Sequence, residues 1–150
     1  MTVMSPEAVN FNFLLDNFVK SVPGVRHTLV VSADGLLMAM SDDLDRTSGD
    51  QLSAIVAGMA SLTRGAARQL RSGEVRQSII ETDLMFMFLM TISDGSVLSV
   101  VADATADVGL IGYEMALLVS RAETTLTPQL ISEMRARLPV GGPTRSAVVG

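Results

Sequence analysis

Side chains that could do acid–base or nucleophilic chemistry are scarce in this chain of 150 residues. It has one histidine, His27, and no cysteine. The lack of cysteine excludes thiol catalysis, disulfides, zinc fingers and iron–sulfur clusters. A Ser-His-Asp triad would have to use His27, which lies in the apparent strand VRHTL without a nucleophile-elbow context. We therefore expect no catalytic residue and assign His27 a structural or surface role.

Phosphate and metal chemistry also lack the residues they need. The sequence contains neither GxxxxGK[ST] nor GxGxxG, and Gly109-Leu-Ile-Gly112 alone is weak evidence for a nucleotide site. An acidic cluster is formed by Asp42, Asp43, Asp45 and Asp50. Its spacing lacks the central glycine and the terminal glutamate of a calcium loop, so a solvated acidic turn is the simpler interpretation. We expect neither a metal nor a cofactor.

Composition limits the possible partners. The chain has 11 Lys+Arg against 16 Asp+Glu, a net charge of −5, which argues against nucleic acid as the main partner. Residues 84–93 form the longest uncharged apolar stretch and are too few for a membrane-spanning helix of about 20 residues. Residues 1–10 lack a basic region followed by an apolar core, so we expect a cytoplasmic protein without direct membrane insertion. A mean hydropathy of +0.40 is high for a small soluble chain and predicts a sheet covered on both faces and a surface hidden in an oligomer.

The first half of the chain is predicted to begin with a helix and a hairpin. Ser5-Pro6 starts the helix with an N-cap and a proline at the first position, and apolar residues then recur at helical spacing up to Val22. Two apolar runs flank Asp34-Gly35, a strong hairpin signal, which predicts strands one and two within residues 25–41. Residues 41–49 are polar and predicted to be a loop.

A long second helix and a meander of three strands are predicted next. Residues 50–71 contain no proline and begin at an acidic cap. The predicted core face of this helix carries Leu52, Ile55, Val56, Met59, Ala66 and Leu70. Strands three, four and five are predicted at residues 75–82, 84–92 and 97–103, with strand four central because it is apolar on both faces.

The last predicted element is a third helix. Asp103 or Thr105 is expected to cap it, and its apolar residues continue to Leu126. Thr127-Pro128 is expected to bend the helix before Leu138. We assign residues 1–138 to a single domain, since about 150 residues suffice for one hydrophobic core, and predict a disordered tail at 139–150. The element order α-β-β-α-β-β-β-α predicts an α/β fold, a three-layer α/β/α sandwich around one five-stranded, mostly antiparallel sheet.

The second helix has an unusual face opposite its predicted core stripe. Projected at about 100° per residue, this face, which we call the small-residue ridge, carries Ala54, Ala57, Gly58, Ser61, Gly65 and Arg68. An exposed helix face is usually charged, and each interior glycine costs about 1 kcal/mol relative to alanine. Either the ridge lets another polypeptide approach closely, or its small residues are filler. We favour an interface with a partner or a second copy.

Strand three has the pattern of an edge strand, because neither of its faces is consistently apolar. An exposed edge invites pairing with another chain, and a two-fold related copy is the commonest partner. The second helix and strand three are therefore predicted to form one dimer surface, to which the strand contributes Val75, Gln77 and Ile79. Protection of the edge by Arg76 and Glu81 is the competing interpretation.

Three arginines follow the centre of the second helix, at Arg64, Arg68 and Arg71. They could form an anion site or supply an arginine finger to a partner. A basic C-terminal half also complements the helix dipole, and we favour this simpler explanation.

Several segments resemble the roadblock/LC7 family, and more closely its bacterial branch. The resemblance covers about residues 8–126 and rests on VVSADGLLMAMS in the hairpin, AGMASLTRGAARQL in the second helix, GEVRQSIIE before strand three, and ADVGLIGYEMALLVSRA in the last helix. The segments GEVRQ and DVGLIGYEM are similar to roadblock members of conservons, bacterial modules that also encode a sensor-kinase-like protein and a Ras-like GTPase.

The resemblance implies a fold and a set of partners. The fold is the roadblock/profilin-like sandwich with strand order 2-1-5-4-3. The partners are a second copy, joined through the second helix and the third strand, and a small Ras-like GTPase of the bacterial gliding-motility type. Small residues that contact the GTPase in the best-understood bacterial relative match Ser61 and Gly65. The implied role is GTPase regulation in bacterial signalling, by activation without an arginine finger or as an effector or scaffold.

A different role is open within the same resemblance. The chain would then be a scaffold that docks the sensor-kinase-like protein without affecting GTP hydrolysis, and a partner would recruit it to the membrane.

Overall fold

The computed structural model describes residues 6–93 and 95–125, with side chains from Asn12 to Thr124 apart from residue 94. The elements match the predicted order. They are α1 (Pro6–Ser21), β1 (Val25–Val31), β2 (Leu37–Met40), α2 (Arg46–Leu70), β3 (Gln77–Glu81), β4 (Met85–Thr91), β5 (Val97–Asp103) and α3 (Val108–Thr125).

One five-stranded sheet lies at the centre, in the order β2-β1-β5-β4-β3. Every neighbouring pair is antiparallel, which confirms the predicted sheet and its strand order. Strand four is internal and covered on both faces, as predicted, and the middle position belongs to β5, which is buried from Val97 to Ala102. The strand at the edge next to β4 is β3, as its pattern predicted.

Each face of the sheet has its own hydrophobic core. Residues of α1 and α3, including Leu15 and Met115, pack with Phe88 and Val100 on one face. Val56 and other residues of α2 pack on the opposite face, against alternate residues of the same strands. Side chains alternate between the faces of a strand, so both cores draw on β1, β4 and β5. This arrangement is the predicted three-layer sandwich.

The hairpin between β1 and β2 turns where the sequence predicted. Gly35 has a φ of 88°, in the left-handed region that favours glycine, and its N–H donates to the Ser32 carbonyl at 3.0 Å. The Ser32 hydroxyl donates to the Asp34 carboxylate and accepts from the Leu36 N–H, which ties the turn together. The turn lies close to α2, since a Cβ on Gly35 would be 3.2 Å from the Ala57 Cβ.

Two helix starts differ from the prediction. α2 begins at Arg46 rather than at residue 50, because the Asp45 carboxylate accepts from the Ser48 N–H at 2.7 Å and caps the helix earlier. α3 is capped by Asp107, whose Oδ1 accepts from the Leu110 N–H at 3.0 Å. Neither residue predicted to cap α3 does so, and Asp103 instead pairs with Arg26 at 2.5 Å.

Some predictions lie outside the described residues. These are the N-cap at Ser5, the continuation of α3 through Leu126, the bend at Thr127-Pro128, the last turns up to Leu138, and the tail at 139–150.

The C-terminus of α2 carries local backbone strain that a mutation should relieve. Arg71 caps the helix in the left-handed conformation, with a φ of 52°, and its N–H donates to the Arg68 carbonyl at 3.2 Å. We expect Arg71→Gly to raise the free energy of unfolding by about 1 kcal/mol, because glycine adopts this conformation without a Cβ clash. Urea unfolding measures the gain. Arg71→Ala keeps the Cβ and is the control, so equal stabilities of the two variants would contradict this explanation.

Candidate protein-interaction surface

The only histidine of the sequence lies beside an aspartate and a serine, but in an order unsuited to catalysis. His27 Nδ1 is 3.3 Å from Asp43 Oδ2, without hydrogen-bond geometry, and the Ser41 hydroxyl donates to Asp43 Oδ1 at 3.0 Å. A nucleophilic serine needs the imidazole as its direct base, whereas here the carboxylate stands between the two. Ser41 is also buried and accepts from the Thr28 N–H at 3.1 Å. His27, Ser41 and Asp43 therefore have a structural role at one end of the first hairpin.

The acidic cluster has structural contacts of its own. Asp45 caps α2, and Asp50 pairs with Arg46 at 2.9 Å. The Asp42 N–H donates to Asp16 Oδ1 at 2.9 Å. Partial burial raises the pKa of Asp16, and the negative charge of Asp42 raises it further. Among the described residues, no three His, Asp or Glu side chains are grouped so that they could hold a metal ion.

The core face of α2 differs from its predicted composition. The buried residues are small ones plus one valine, namely Gly49, Ser53, Val56 and Ala60. Large aliphatic residues instead face outward, since Ile55 is 52% exposed, Leu62 76% and Leu70 75%. Ala66 is exposed as well, so three of the six predicted core residues lie outside the core. The helix lies rotated from the predicted position.

The small buried residues of α2 allow close packing against β2. A Cβ on Gly49 would lie 3.0 Å from side-chain atoms of both Leu37 and Met40, so a larger residue there would require these side chains to shift. Hydrophobic periodicity alone missed this because it weights large residues over small ones. A signal was present in the sequence, since Gly49, Ser53, Val56 and Ala60 also recur at helical spacing.

The small-residue ridge is largely on the surface. Ala54, Gly58, Ser61 and Arg68 are exposed, and Gly65 is half-buried. Ala57 is also half-buried, because it packs towards the second core and lies near the turn at Gly35. Ala57 is therefore small for a reason within its own chain.

The two interior glycines of the ridge have no such reason. A Cβ on Gly58 would meet nothing within 4 Å, and a Cβ on Gly65 would meet only Arg68 Nη2, at 3.9 Å. Neither has a positive φ, so within the described chain alanine would fit at both positions. Each glycine nevertheless weakens the helix by about 1 kcal/mol relative to alanine. No contact among the described residues requires glycine at either position or compensates for this loss of helix stability.

The strand residues predicted for the interface divide into two groups. Gln77 and Ile79 lie on the edge strand β3, and both are exposed. Val75 precedes the strand, which begins at Gln77 rather than at residue 75. It is half-buried and lines a small cavity with Ala60 and Thr63 of α2. Val75 therefore lies in the connection between α2 and β3, packed near α2, and is not on the exposed edge of β3.

The ridge and the strand edge meet at the C-terminal half of α2. An open groove there is lined by Arg64 and Arg68 from the helix and by Arg76 and Gln77 from the start of β3. The far side of the groove is formed by the end of β4 and by α3. One end of the ridge, at Arg68, therefore lies near the start of the edge strand.

Family comparison agrees with this architecture. The model of the Roadblock/LC7 domain matches residues 12–102 of this chain. The chain belongs to the Roadblock/LC7 family. A Roadblock/LC7 domain from Streptomyces avermitilis is 34% identical to it, with a TM-score of 0.72, and the match covers 75% of this chain and 94% of that one.

More distant structures share the fold of this Roadblock/LC7 domain. Myxococcus xanthus MglB is 16% identical, with a TM-score of 0.73, over 83% of this chain and 92% of that one. Acanthamoeba castellanii profilin IB is 14% identical, with a TM-score of 0.57, over 76% of this chain and 97% of that one. No curated protein sequence gives a significant match. The described helices include none long and apolar enough to cross a membrane.

A second exposed apolar patch lies on the opposite layer of the domain. It consists of Leu110, Tyr113 and Leu117 on α3, which are 38%, 62% and 40% exposed. Their spacing places them along one side of the helix. Sequence reasoning assigned no role to this patch because the buried residues of α3 recur at the same period.

Proposed function

We propose that this Roadblock/LC7 domain is a non-enzymatic, homodimeric regulator of a small Ras-like GTPase in a bacterial signalling module. The small-residue ridge and the edge of β3 form the surface at which it associates. The observation that carries the proposal is the pair of glycines at 58 and 65, which no contact within the described chain requires. A closely approaching helix or backbone would offset their cost in helix stability.

Other features of the same surface support association. Ile55, Leu62 and Leu70 place three large aliphatic side chains in solvent on the helix that carries the ridge. Burying such side chains against a partner is worth about 25 cal/mol per Å² of apolar surface before the costs of association. The edge of β3 offers backbone groups for pairing with another strand. Membership of the Roadblock/LC7 family and the likeness of its fold to MglB agree with this role.

The mode of action follows from the residues on the surface. The ridge carries no carboxylate or imidazole, so it offers no general acid or base to a reacting phosphate. A regulator of this kind acts only through different affinities for two states of its partner. It would stabilise the conformation in which the GTPase aligns its own catalytic groups.

Single-turnover GTP hydrolysis tests the regulatory role. We expect the cognate small Ras-like GTPase to hydrolyse GTP at least about tenfold faster with saturating protein, a barrier change of about 1.4 kcal/mol. An unchanged rate together with measurable binding would remove activation and leave an effector or scaffold role. Absence of binding to both the GTP and the GDP forms would contradict the proposal.

A scaffold that docks a sensor-kinase-like protein is the second candidate. The apolar patch of Leu110, Tyr113 and Leu117 favours it, because it lies on a different layer from the ridge and could hold another protein at the same time. Pull-down experiments separate the candidates. Tyr113→Glu should remove the kinase-like protein and leave the GTPase bound, whereas loss of neither protein would exclude the patch as a docking site.

A further inference from the structure

The outer side of α3 is uncharged from residue 109 to residue 117. The exposed residues in this stretch are Gly109, Leu110, Tyr113, Ala116 and Leu117. An exposed helix face normally carries polar or charged residues, and an apolar one is typical of a surface that another segment covers. Glu114 lies at the border of this side, where it is half-buried and makes no ion pair among the described residues.

The sequence that follows α3 contains a matching apolar stripe. It lies in residues 128–138, PQLISEMRARL, which we call the return segment and which come after the described part of the chain. The large apolar residues of the return segment are Leu130, Ile131, Met134 and Leu138. At about 100° per residue these four fall within an arc of about 100°, and Ser132 and Ala136 lie opposite. Thr127-Pro128 has the pattern of a helix N-terminus, and Pro139 follows the stripe.

The lengths of the two apolar stretches agree. Only residues 126 and 127 join Thr125 to the return segment, and three residues of extended chain span at most about 10 Å. The return segment therefore begins beside the C-terminal end of α3. Along a helix with a rise of about 1.5 Å per residue, Leu117 lies about 12 Å and Tyr113 about 18 Å before Thr125. The eleven residues of the return segment span about 16 Å at the same rise, which is enough to cover Leu117 and to end at the level of Tyr113.

We infer that the return segment binds back along α3, antiparallel to it, and covers Tyr113 and Leu117 with its apolar stripe. The short connection holds the segment at an effective concentration on the order of millimolar, so contacts of modest strength suffice. Arg135 and Arg137 flank the stripe on its two sides, and one of them therefore lies on the same side as Glu114. This inference requires neither the proposed homodimer nor the GTPase. A sensor-kinase-like protein that binds this patch would have to displace the return segment.

Tyrosine fluorescence tests the inference without a label. Tyr113 is the only tyrosine and the chain has no tryptophan, so the fluorescence of the full chain arises at the patch itself. Acrylamide quenching measures how accessible the ring is. We expect Met134→Glu with Leu138→Glu to raise the Stern–Volmer quenching constant at least about twofold, because burying two carboxylates against the patch is unfavourable.

The matched control is Ser132→Glu with Ala136→Glu. It changes the net charge by the same amount on the opposite side of the return segment, and should leave quenching at the wild-type level. Each measurement is repeated over a range of protein concentrations, because contact within one chain does not depend on concentration. Circular dichroism melting verifies that each variant folds.

Cross-linking detects the contact independently of fluorescence. The chain has no cysteine, so Ser120→Cys with Met134→Cys introduces the only two thiols. A short bis-maleimide should join them within one chain, which keeps the mass of a monomer under denaturing conditions. Gln51→Cys with Met134→Cys is the control. Gln51 is exposed on α2, in the opposite layer, and should give no cross-link within one chain.

The outcomes also separate this inference from the proposed function. Equal quenching of the wild type and the Met134→Glu, Leu138→Glu variant overturns it, because the patch is then not covered by the return segment. Quenching that falls as the protein concentration rises also overturns it, since a second copy then covers the patch, and so does a cross-link found only between chains. An unchanged rate of GTP hydrolysis or a monomeric protein bears on the proposed function alone.

Discussion

Ser61→Arg should disrupt association at the small-residue ridge while the domain remains folded. Ser61 is exposed at the centre of the ridge, so the new side chain can extend into solvent in the monomer but would fill the space that a partner helix needs. We expect dimerisation or GTPase affinity to fall by at least about 30-fold, the effect of an interface hot spot worth about 2 kcal/mol. Light scattering and titration calorimetry measure the two affinities.

Ser120→Arg is the matched control for this experiment. It makes the same serine-to-arginine change at an exposed position of α3, which lies in the layer opposite α2. Its effect on association should be much smaller. Gly65→Arg provides a second disruption of the ridge. If Ser61→Arg and Gly65→Arg both kept wild-type dimerisation and partner affinity, the assignment of the interface to this face of α2 would be wrong.

Phe88→Ala should cause the largest loss of stability. Phe88 is fully buried on β4, in the core beneath α1 and α3, and its ring centroid lies 6.0 Å from that of Phe86. We expect the free energy of unfolding to fall by about 3–5 kcal/mol, from lost burial and from the cavity that remains. Denaturant unfolding at fixed protein concentration measures this loss.

Phe13→Ala serves as the control for the core experiment. Phe13 is 64% exposed on α1, so its removal should change stability by no more than about 0.5 kcal/mol. A loss below about 1 kcal/mol for Phe88→Ala would mean that the site collapses around the missing ring. A comparable loss for both variants would show that exposure fails to separate core from surface here.

The fold was largely predictable because its strongest local signals agree with one another. Asp34-Gly35 fixed the first hairpin, and the apolar runs of β4 and β5 required cover on both faces of the sheet. Both misplaced helix starts arose from competing aspartates. Asp50 was predicted to cap α2, but Asp45 does so. Asp103 was a predicted cap of α3, but Asp107 does so. Several aspartates can cap each helix, so the three-dimensional contacts decide between them.

The candidate surface was predicted only in part. The two interior glycines of the ridge were conspicuous in the sequence, because glycine weakens a helix, and the structure shows Gly58 exposed and Gly65 half-buried. The rotation of α2 was not, because the contact of Gly49 with β2 depends on how closely two elements approach. The three arginines of α2 were visible in the sequence, but whether each has a charged partner among the described residues depends on the fold.

The position of α2 has a mechanical consequence. Its first turns pack against Leu37 and Met40 of β2 at Gly49, and its later turns lie beside Ser78 of β3. Because β2 and β3 are the two edge strands, a single helix is in contact with both edges of the sheet. If a molecule bound at the β3 end tilts the helix, the close contact between Gly49 and β2 at the other end must loosen. Slow exchange of backbone amide hydrogens in β2 would then respond to events about a domain's width away.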